Sequence, residues 1–282
     1  MIYAEVIGDP IAQSKSPAIH GFWLARLGIA AEYRAHHVLD DGLADYFAQR
    51  RGDPQWRGCN VTMPHKAAVM PLLERIDPLA KRVGAVNTVV AEDGALVGYN
   101  TDVAGFLEPL SAQLRETHLF RMARVFGSGG AARAVVAALV EAKCVIVLAA
   151  RDPAKARALL EELDPGGEHH SVDIAHFAAP TDFDFDDRER LFDVIVNASA
   201  LGMRGKPPLA LDFSHVPPGS TVYDIVTDPL DTPLLIAARA AGLPTIDGLA
   251  MLIGQAAAAF AKFFGEPAPR QYDGELRAML TS

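Results

Sequence analysis

Residues 124–142 constrain the fold of this chain more than any other stretch. A β-rich Arg124-Val125-Phe126 runs into Gly127-Ser128-Gly129-Gly130-Ala131-Ala132-Arg133, and an alanine-rich apolar segment follows. Gly127, Gly129 and Ala132 keep the G-x-G-x-x-G/A spacing of turns that join a strand to a helix under a dinucleotide. Glycines there let the backbone turn tightly and approach a pyrophosphate. The following helix then offers its unpaired N–H groups and positive dipole end to that charge. Glycine pairs recur in ordinary βα turns, but the strand before and the helix after supply the right context. The stretch predicts a Rossmann-type nucleotide-binding domain.

The rest of the chain alternates between strand-like and helix-like segments, the pattern of α/β architecture. Strands are expected at 4–7, 33–38, 59–61, 85–91 and 96–99, and helices at 16–27, 42–50, 66–73 and 102–114. Glu92-Asp93-Gly94-Ala95 joins two β-rich runs and marks a hairpin. After the glycine turn, strands are expected at 145–148, 194–196, 221–223 and 245–246. Helices are expected at 153–163, 233–241, 249–264 and 272–279. Residues 164–192 are the least regular, and the acidic run from Asp182 to Glu189 reads as a solvated face. A length of 282 residues favours two domains.

A net charge of −9 argues against a nucleic-acid surface. Cys59 and Cys144 sit in apolar strand-like contexts and read as buried free thiols, not a disulfide or metal site. Arg133, Glu141 and Lys143 interrupt the longest apolar region, so no membrane span is expected. With no signal peptide evident, a cytoplasmic protein is expected, monomeric or homodimeric.

Two polar clusters stand out in the first half. Gly58-Cys59-Asn60-Val61-Thr62-Met63-Pro64-His65-Lys66 places an amide, a hydroxyl and an amine where a strand gives way to an expected helix. Asn60, Thr62 and Lys66 can then face one crevice at the carboxyl end of the strand, where open α/β sheets bind ligands. Gly98-Tyr99-Asn100-Thr101-Asp102 adds a carboxylate at a second strand end. In the second half, the strand after the glycine turn ends in Ala150-Arg151-Asp152-Pro153-Ala154-Lys155. Arg151 suits a ribose 2′-phosphate, as in NADP, whereas Asp152 would accept from a free 2′-hydroxyl, as in NAD.

The motifs in order resemble those of the shikimate dehydrogenase family, including quinate/shikimate dehydrogenases. They are Gly8-Asp9-Pro10-Ile11 with Ser14-Lys15-Ser16-Pro17, then Asn60 to Lys66, Gly84-Ala85-Val86-Asn87-Thr88 and Asn100-Thr101-Asp102. The glycine turn follows, with Asn197-Ala198-Ser199, Gly202-Met203, Pro229-Leu230 and Thr232-Pro233-Leu234-Leu235. Gly248-Leu249-Ala250-Met251-Leu252 with Gln255 completes the set. The resemblance implies a substrate domain over 1–103, completed by 247–282, and an NAD(P)-binding domain over 104–246, with the active site between them. It also implies Ser14 and Ser16 on a substrate carboxylate. Asn60, Thr62, Asn87, Asp102 and Gln255 would hold ring hydroxyls, and Lys66 with Asp102 would form the catalytic pair. Cofactor contacts would come from Gly127, Ser128, Gly129, Gly130, Ala131, Arg151, Asp152, Ala198, Ser199, Met203, Gly248 and Met251. No metal is implied.

That reading suits the chemistry. Taking hydride from a secondary alcohol yields a carbonyl only if the hydroxyl proton also leaves, and Lys66 and Asp102 offer both charges for that task. Neutral Ser, Thr, Asn and Gln groups suit a small polyhydroxylated anion. Three departures from the family pattern matter. Thr227 stands where the family usually has Tyr, Ala150-Arg151-Asp152 replaces an Asn-Arg-Thr strand end, and Gly21 follows His20 where Asn is common. The expected activity is NADP-dependent shikimate dehydrogenation. An NAD-preferring enzyme on quinate or a related cyclitol acid is the alternative. A silent nucleotide-binding regulator is disfavoured, because a sensor needs no proton-transfer pair. An enzyme on folate carriers is disfavoured too, because the site segments hold few aromatics besides Tyr99.

Overall fold

The computed structural model describes residues 1–182 and 190–282. Most of the acidic run ending at Glu189 lies outside the described residues. The chain forms two compact units, Met1–Gly105 with Ile253–Ser282, and Phe106–Leu252.

The first unit runs β1 (Ile2–Gly8), α1 (Ser16–Leu27), β2 (Ala31–His37), α2 (Leu43–Arg50), β3 (Trp56–Val61), β4 (Arg75–Ile76), α3 (Pro78–Val83), β5 (Thr88–Glu92) and β6 (Ala95–Tyr99). Its sheet has the order β2-β1-β3-β5-β6-β4. β1 pairs in parallel with β2 and β3, and β5 lies antiparallel to β3 and β6. The carboxyl ends of β1, β3 and β6 and the start of β5 therefore share one edge of the sheet. After β1 the chain builds outward in both directions, so β1 and β3 flank a topological switch point at that edge. Buried Glu5 interrupts the apolar run of β1, held by the Tyr46 hydroxyl and the Arg50 guanidinium, both at 2.8 Å. The expected hairpin is present. Asp93 and Gly94 have φ of 52° and 78°, the left-handed pair that fits the twist of its strands.

α4 (Asp102–Leu107) leads into α5 (Ser111–Leu114) and the second unit: β7 (Phe120–Phe126), α6 (Gly130–Glu141), β8 (Val145–Ala150), α7 (Pro153–Leu163), β9 (His170–Asp173), β10 (Leu191–Asn197), β11 (Thr221–Asp224), α8 (Pro233–Ala240) and β12 (Thr245–Ile246). The order β12-β11-β10-β7-β8-β9 is parallel throughout. Counted from β7, that is the doubly wound 3-2-1-4-5-6 arrangement, with its switch point between β7 and β10. Val125, Phe126, Ile146, Leu148, Val194 and Val222 are fully buried, as strands covered on both faces require. α9 (Gly248–Phe264) and α10 (Asp273–Thr281) close the chain. Among the described residues no helix is long and apolar enough to cross a membrane. Cys59 and Cys144 are free and buried.

Two expected helices take another form. Residues 66–73 make successive turns ending in a 3-10 turn at Met70–Leu72. The Lys66 carbonyl accepts from the Val86 N–H at 2.8 Å, so Met70 N–H bonds Ala67 instead, and Pro71 has no N–H to continue the ladder. The expected helix over 102–114 breaks into α4, a 3-10 turn and α5, with Pro109 at the break.

Candidate active site

Strand direction assembles the polar cluster of the first unit. Thr62 and Lys66 follow β3, Asn87 precedes β5, and Asn100-Thr101-Asp102 follows β6, all at one sheet edge. The Lys66 ammonium donates to Asp102 Oδ2 at 2.6 Å, and the Asn87 amide donates to Asp102 Oδ1 at 2.8 Å. Both oxygens of this carboxylate are thus held by named donors. Its side chain is 7% exposed and that of Lys66 19%, so the pair is sheltered yet reachable. Gln255 on α9 joins from the far end of the sequence, its carbonyl 3.5 Å from the Asn87 amide and from the Thr101 hydroxyl. Asn87 Oδ1 accepts from the Thr101 N–H at 2.7 Å, which fixes the amide end for end.

The other predicted residues divide. Asn100 is structural: its carbonyl accepts from the N–H groups of Asp102 and Val103 and so caps α4. Asn60 reaches the cluster with its amide engaged. It donates to the Asn87 carbonyl and the Thr88 hydroxyl and accepts from Tyr33 at 2.6 Å. Thr62 presses its methyl against Gly8, where a Cβ would lie 2.4 Å away, and among the described residues its hydroxyl has no partner. Ser14 and Ser16 flank Lys15 at the entry to α1, which has no side-chain cap, although Ser14 Oγ accepts from the Ser16 N–H at 3.3 Å. Lys15 reaches away to the Leu280 carbonyl at 2.9 Å. Burial lifts the Tyr33 phenol well above its ordinary value, opposed by a hydrogen bond with Ser16. The His20 imidazole, stacked on Tyr33 with ring centroids 3.9 Å apart, is pushed by burial down to about 3. Tyr33 and Thr88 join the site as partners of Asn60 beyond the expected residues. Thr88 lay within a recognised motif, whereas Tyr33 is on another strand, where no sequence spacing points to it.

In the second unit the glycine turn sits at the switch point. Gly127 has φ of 114°, and a Cβ there would lie 2.8 Å from the Ala198 carbonyl oxygen, so the close approach of the β7 and β10 ends requires glycine. Asn197 organises the second loop, accepting from the Ser199 N–H and hydroxyl and donating to Asp224. Burial raises the Asp224 carboxyl above the ordinary carboxylate value, against three donors that favour its charge. Gly129 and Gly130 differ from Gly127: a Cβ at either would meet nothing within 4 Å. Among the described residues nothing demands glycine there, whereas a pyrophosphate laid on the backbone would. α6 has neither a side-chain cap nor an acidic residue in its first turn, so Ser128, Gly130 and Ala131 border a helix end suited to an anion.

Asp152 and Arg151 separate cleanly. Asp152 Oδ1 caps α7, accepting from the N–H groups of Ala154 and Lys155 at 3.0 Å each. Arg151 is exposed, and among the described residues nothing pairs with its guanidinium. The exposed Lys155 ammonium in the first turn of α7 is also unpaired among them; its place four residues after Arg151 was the available signal. Ala198 and Met251 are buried and Met203 is exposed. Gly248 packs on the end of β11, where a Cβ would lie 2.3 Å from the Val226 carbonyl oxygen. The residues present thus fit a dinucleotide. Among the described residues no group of His, Cys, Asp and Glu could hold a metal.

Comparison with known proteins decides the family. Residues 6–89 match the shikimate dehydrogenase substrate binding domain, and residues 248–272 the shikimate 5'-dehydrogenase C-terminal domain. Shikimate dehydrogenase (NADP(+)) of Sphingopyxis alaskensis is 51% identical over 282 residues, covering 99% of this chain and 97% of that protein. This chain belongs to the shikimate dehydrogenase family. Two solved members extend the comparison. Shikimate 5-dehydrogenase from Thermus thermophilus, in complex with NADP(H) and shikimate, superposes with a TM-score of 0.83 at 34% identity, over 99% of this chain and all of that one. Quinate dehydrogenase from Corynebacterium glutamicum, in complex with NAD, gives 0.81 at 33% identity, over 99% of both chains.

Proposed function

We propose that this chain is a shikimate dehydrogenase that moves hydride reversibly between NADP(H) and the shikimate/3-dehydroshikimate pair. Lys66 and Asp102 are its proton-handling couple. The observation that carries the reading is their 2.6 Å ion pair, set at a sheet edge among Asn87, Thr101 and Gln255 in a chain of this family. One Lys66 N–H is engaged by Asp102, which leaves two for a substrate oxygen. In the reduction direction the ammonium donates to the oxygen on which negative charge develops. In oxidation Lys66 first gives up a proton to solvent, and the neutral amine then receives the hydroxyl proton, while Asp102 keeps its charge opposite the re-formed ammonium. Ser14 and Ser16 hold the substrate carboxylate, and Thr62, Asn87 and Gln255 hold ring hydroxyls. A site of such groups rejects analogues that leave one unpaired.

NADP, when bound, supplies or accepts the hydride. The second unit would hold it: the backbone of Gly127 to Ala131 would take the pyrophosphate, with Ser199 and Met251 as further contacts. Arg151 and Lys155 pair with the 2′-phosphate, and Asp152 has its carboxylate committed to the cap of α7. The first and last segments, 1–103 and 247–282, form the substrate domain, and 104–246 the nucleotide domain. Two buried free thiols suit a reducing, cytoplasmic setting for a monomer or homodimer.

Shikimate and quinate, each with NADP and NAD, give a two-by-two kinetic panel that tests this reading. The highest kcat/KM is expected for shikimate with NADP. Arg151→Ala should raise the KM for NADP about tenfold more than that for NAD. Thr227, smaller than the family's usual Tyr, favours a second reading in which quinate or a related acid is preferred. Equal or better turnover with quinate, or with NAD, would establish that reading instead.

A further inference from the structure

A run of hydrogen bonds leads from the edge of the first sheet to the Asp102 carboxylate, and each donor points the same way. The Tyr33 hydroxyl on β2 donates to Asn60 Oδ1 at 2.6 Å, and Asn60 Nδ2 donates to Thr88 Oγ1 at 3.0 Å. Thr88 donates to Asn87 Oδ1 at 3.0 Å, and Asn87 Nδ2 donates to Asp102 Oδ1 at 2.8 Å. Tyr33, Asn60, Thr88, Asn87 and Asp102 are all buried. Direction is imposed by chemistry at both ends. An ionised Asp102 can only accept. If the Asn60 amide were reversed, its oxygen would face the Asn87 carbonyl, which also only accepts. The Asn60 donors are both spent inside the unit, on the Asn87 carbonyl and the Thr88 hydroxyl.

We infer that Tyr33, Asn60 and Thr88 are positioning residues, a one-way hydrogen-bond chain that holds and polarises the Asn87 amide on the catalytic carboxylate. This rests on the assignment of Lys66 and Asp102 as the proton-handling couple. Thr101 N–H also holds Asn87 Oδ1, so breaking the chain weakens the amide's grip without releasing it. Hydrogen bonds in series strengthen one another, and the amide then donates less strongly to Asp102 when its own oxygen loses a donor. Asn60 shifts from a substrate-gripping group to a support, and Tyr33 gains a role that its stacking on His20 alone would not give it.

The test is a double-mutant cycle in the full-length protein, with kcat, both KM values and thermal midpoint for each variant. Thr88→Val keeps the side-chain shape and removes the hydroxyl, and Tyr33→Phe cuts the chain at its far end. Thr88→Val should lower kcat about five- to tenfold, with the substrate KM changed less than about twofold. Thr88→Ser should restore turnover even if its thermal midpoint stays below that of the parent. Tyr33→Phe should lower kcat by less. The double variant should be no slower than Thr88→Val, because the chain is already broken there. Thr88→Val within twofold of parental kcat, failed rescue by serine, or losses that multiply in the double variant would each overturn the inference. Lys66→Ala is measured alongside. Normal turnover there sinks the catalytic assignment itself, whereas loss of turnover there with none in Thr88→Val sinks the positioning chain alone.

Discussion

Gly127 and His20 show how much one residue can carry. At Gly127 a positive φ coincides with a backbone approach that leaves no room for a methyl group. Gly127→Ala should cost about 1–3 kcal/mol of stability and remove most NADP binding, read by thermal unfolding and by titration with NADP. A variant that keeps both would show that the turn is not where the nucleotide docks. His20 is fully buried and neutral, with a folded value near 3 against an ordinary value near 6.5. Below about pH 6.5 the unfolded chain takes up this proton and the folded chain does not. Stability therefore falls with acidification, by up to about 1.4 kcal/mol per pH unit, until about pH 3. His20→Phe keeps an aromatic ring against Tyr33 and should flatten that acid limb of the thermal midpoint against pH. An unchanged limb would mean that His20 is not titrating across folding.

Among the elements, the C-terminal helix has a reach its sequence does not advertise. Lys15, between the two serines assigned to the substrate carboxylate, donates to the Leu280 carbonyl near the end of α10. A cation there also opposes the negative end of the helix dipole. Lys15→Met should raise the shikimate KM about three- to tenfold and leave the NADP KM unaltered; steady-state kinetics check both. Legibility in the sequence followed local signals. The start of α7 was readable because Pro153 suits a first helical turn. The hairpin after β5 was readable because Asp-Gly admits few other turns. Residues 66–73 were misread because the bond that stops the helix comes from Val86, on a distant segment. β4, α3 and β9 were missed because two- to six-residue elements carry too few positions for a period to show. At the site, residue types and order were legible. The direction of the amides and the split between Arg151 and Asp152 were not, since they depend on which neighbour takes each lone pair.

At the scale of the whole molecule, two sheets each present a switch point, one with the Lys66–Asp102 pair and the other with the glycine turn. A ligand that binds the folded nucleotide unit should stabilise it through mass action, by about 2.7 kcal/mol at a concentration one hundred times Kd, and so raise its thermal midpoint. Lys66→Ala should keep that NADP-dependent shift, because Lys66 lies in the unit without the glycine turn. The direct measurement is the turnover number of Lys66→Ala with shikimate and NADP at saturation. A fall of at least about a hundredfold, with a substrate KM that changes far less, is the predicted result. Turnover close to that of the parent would contradict the assignment of this ammonium to proton transfer.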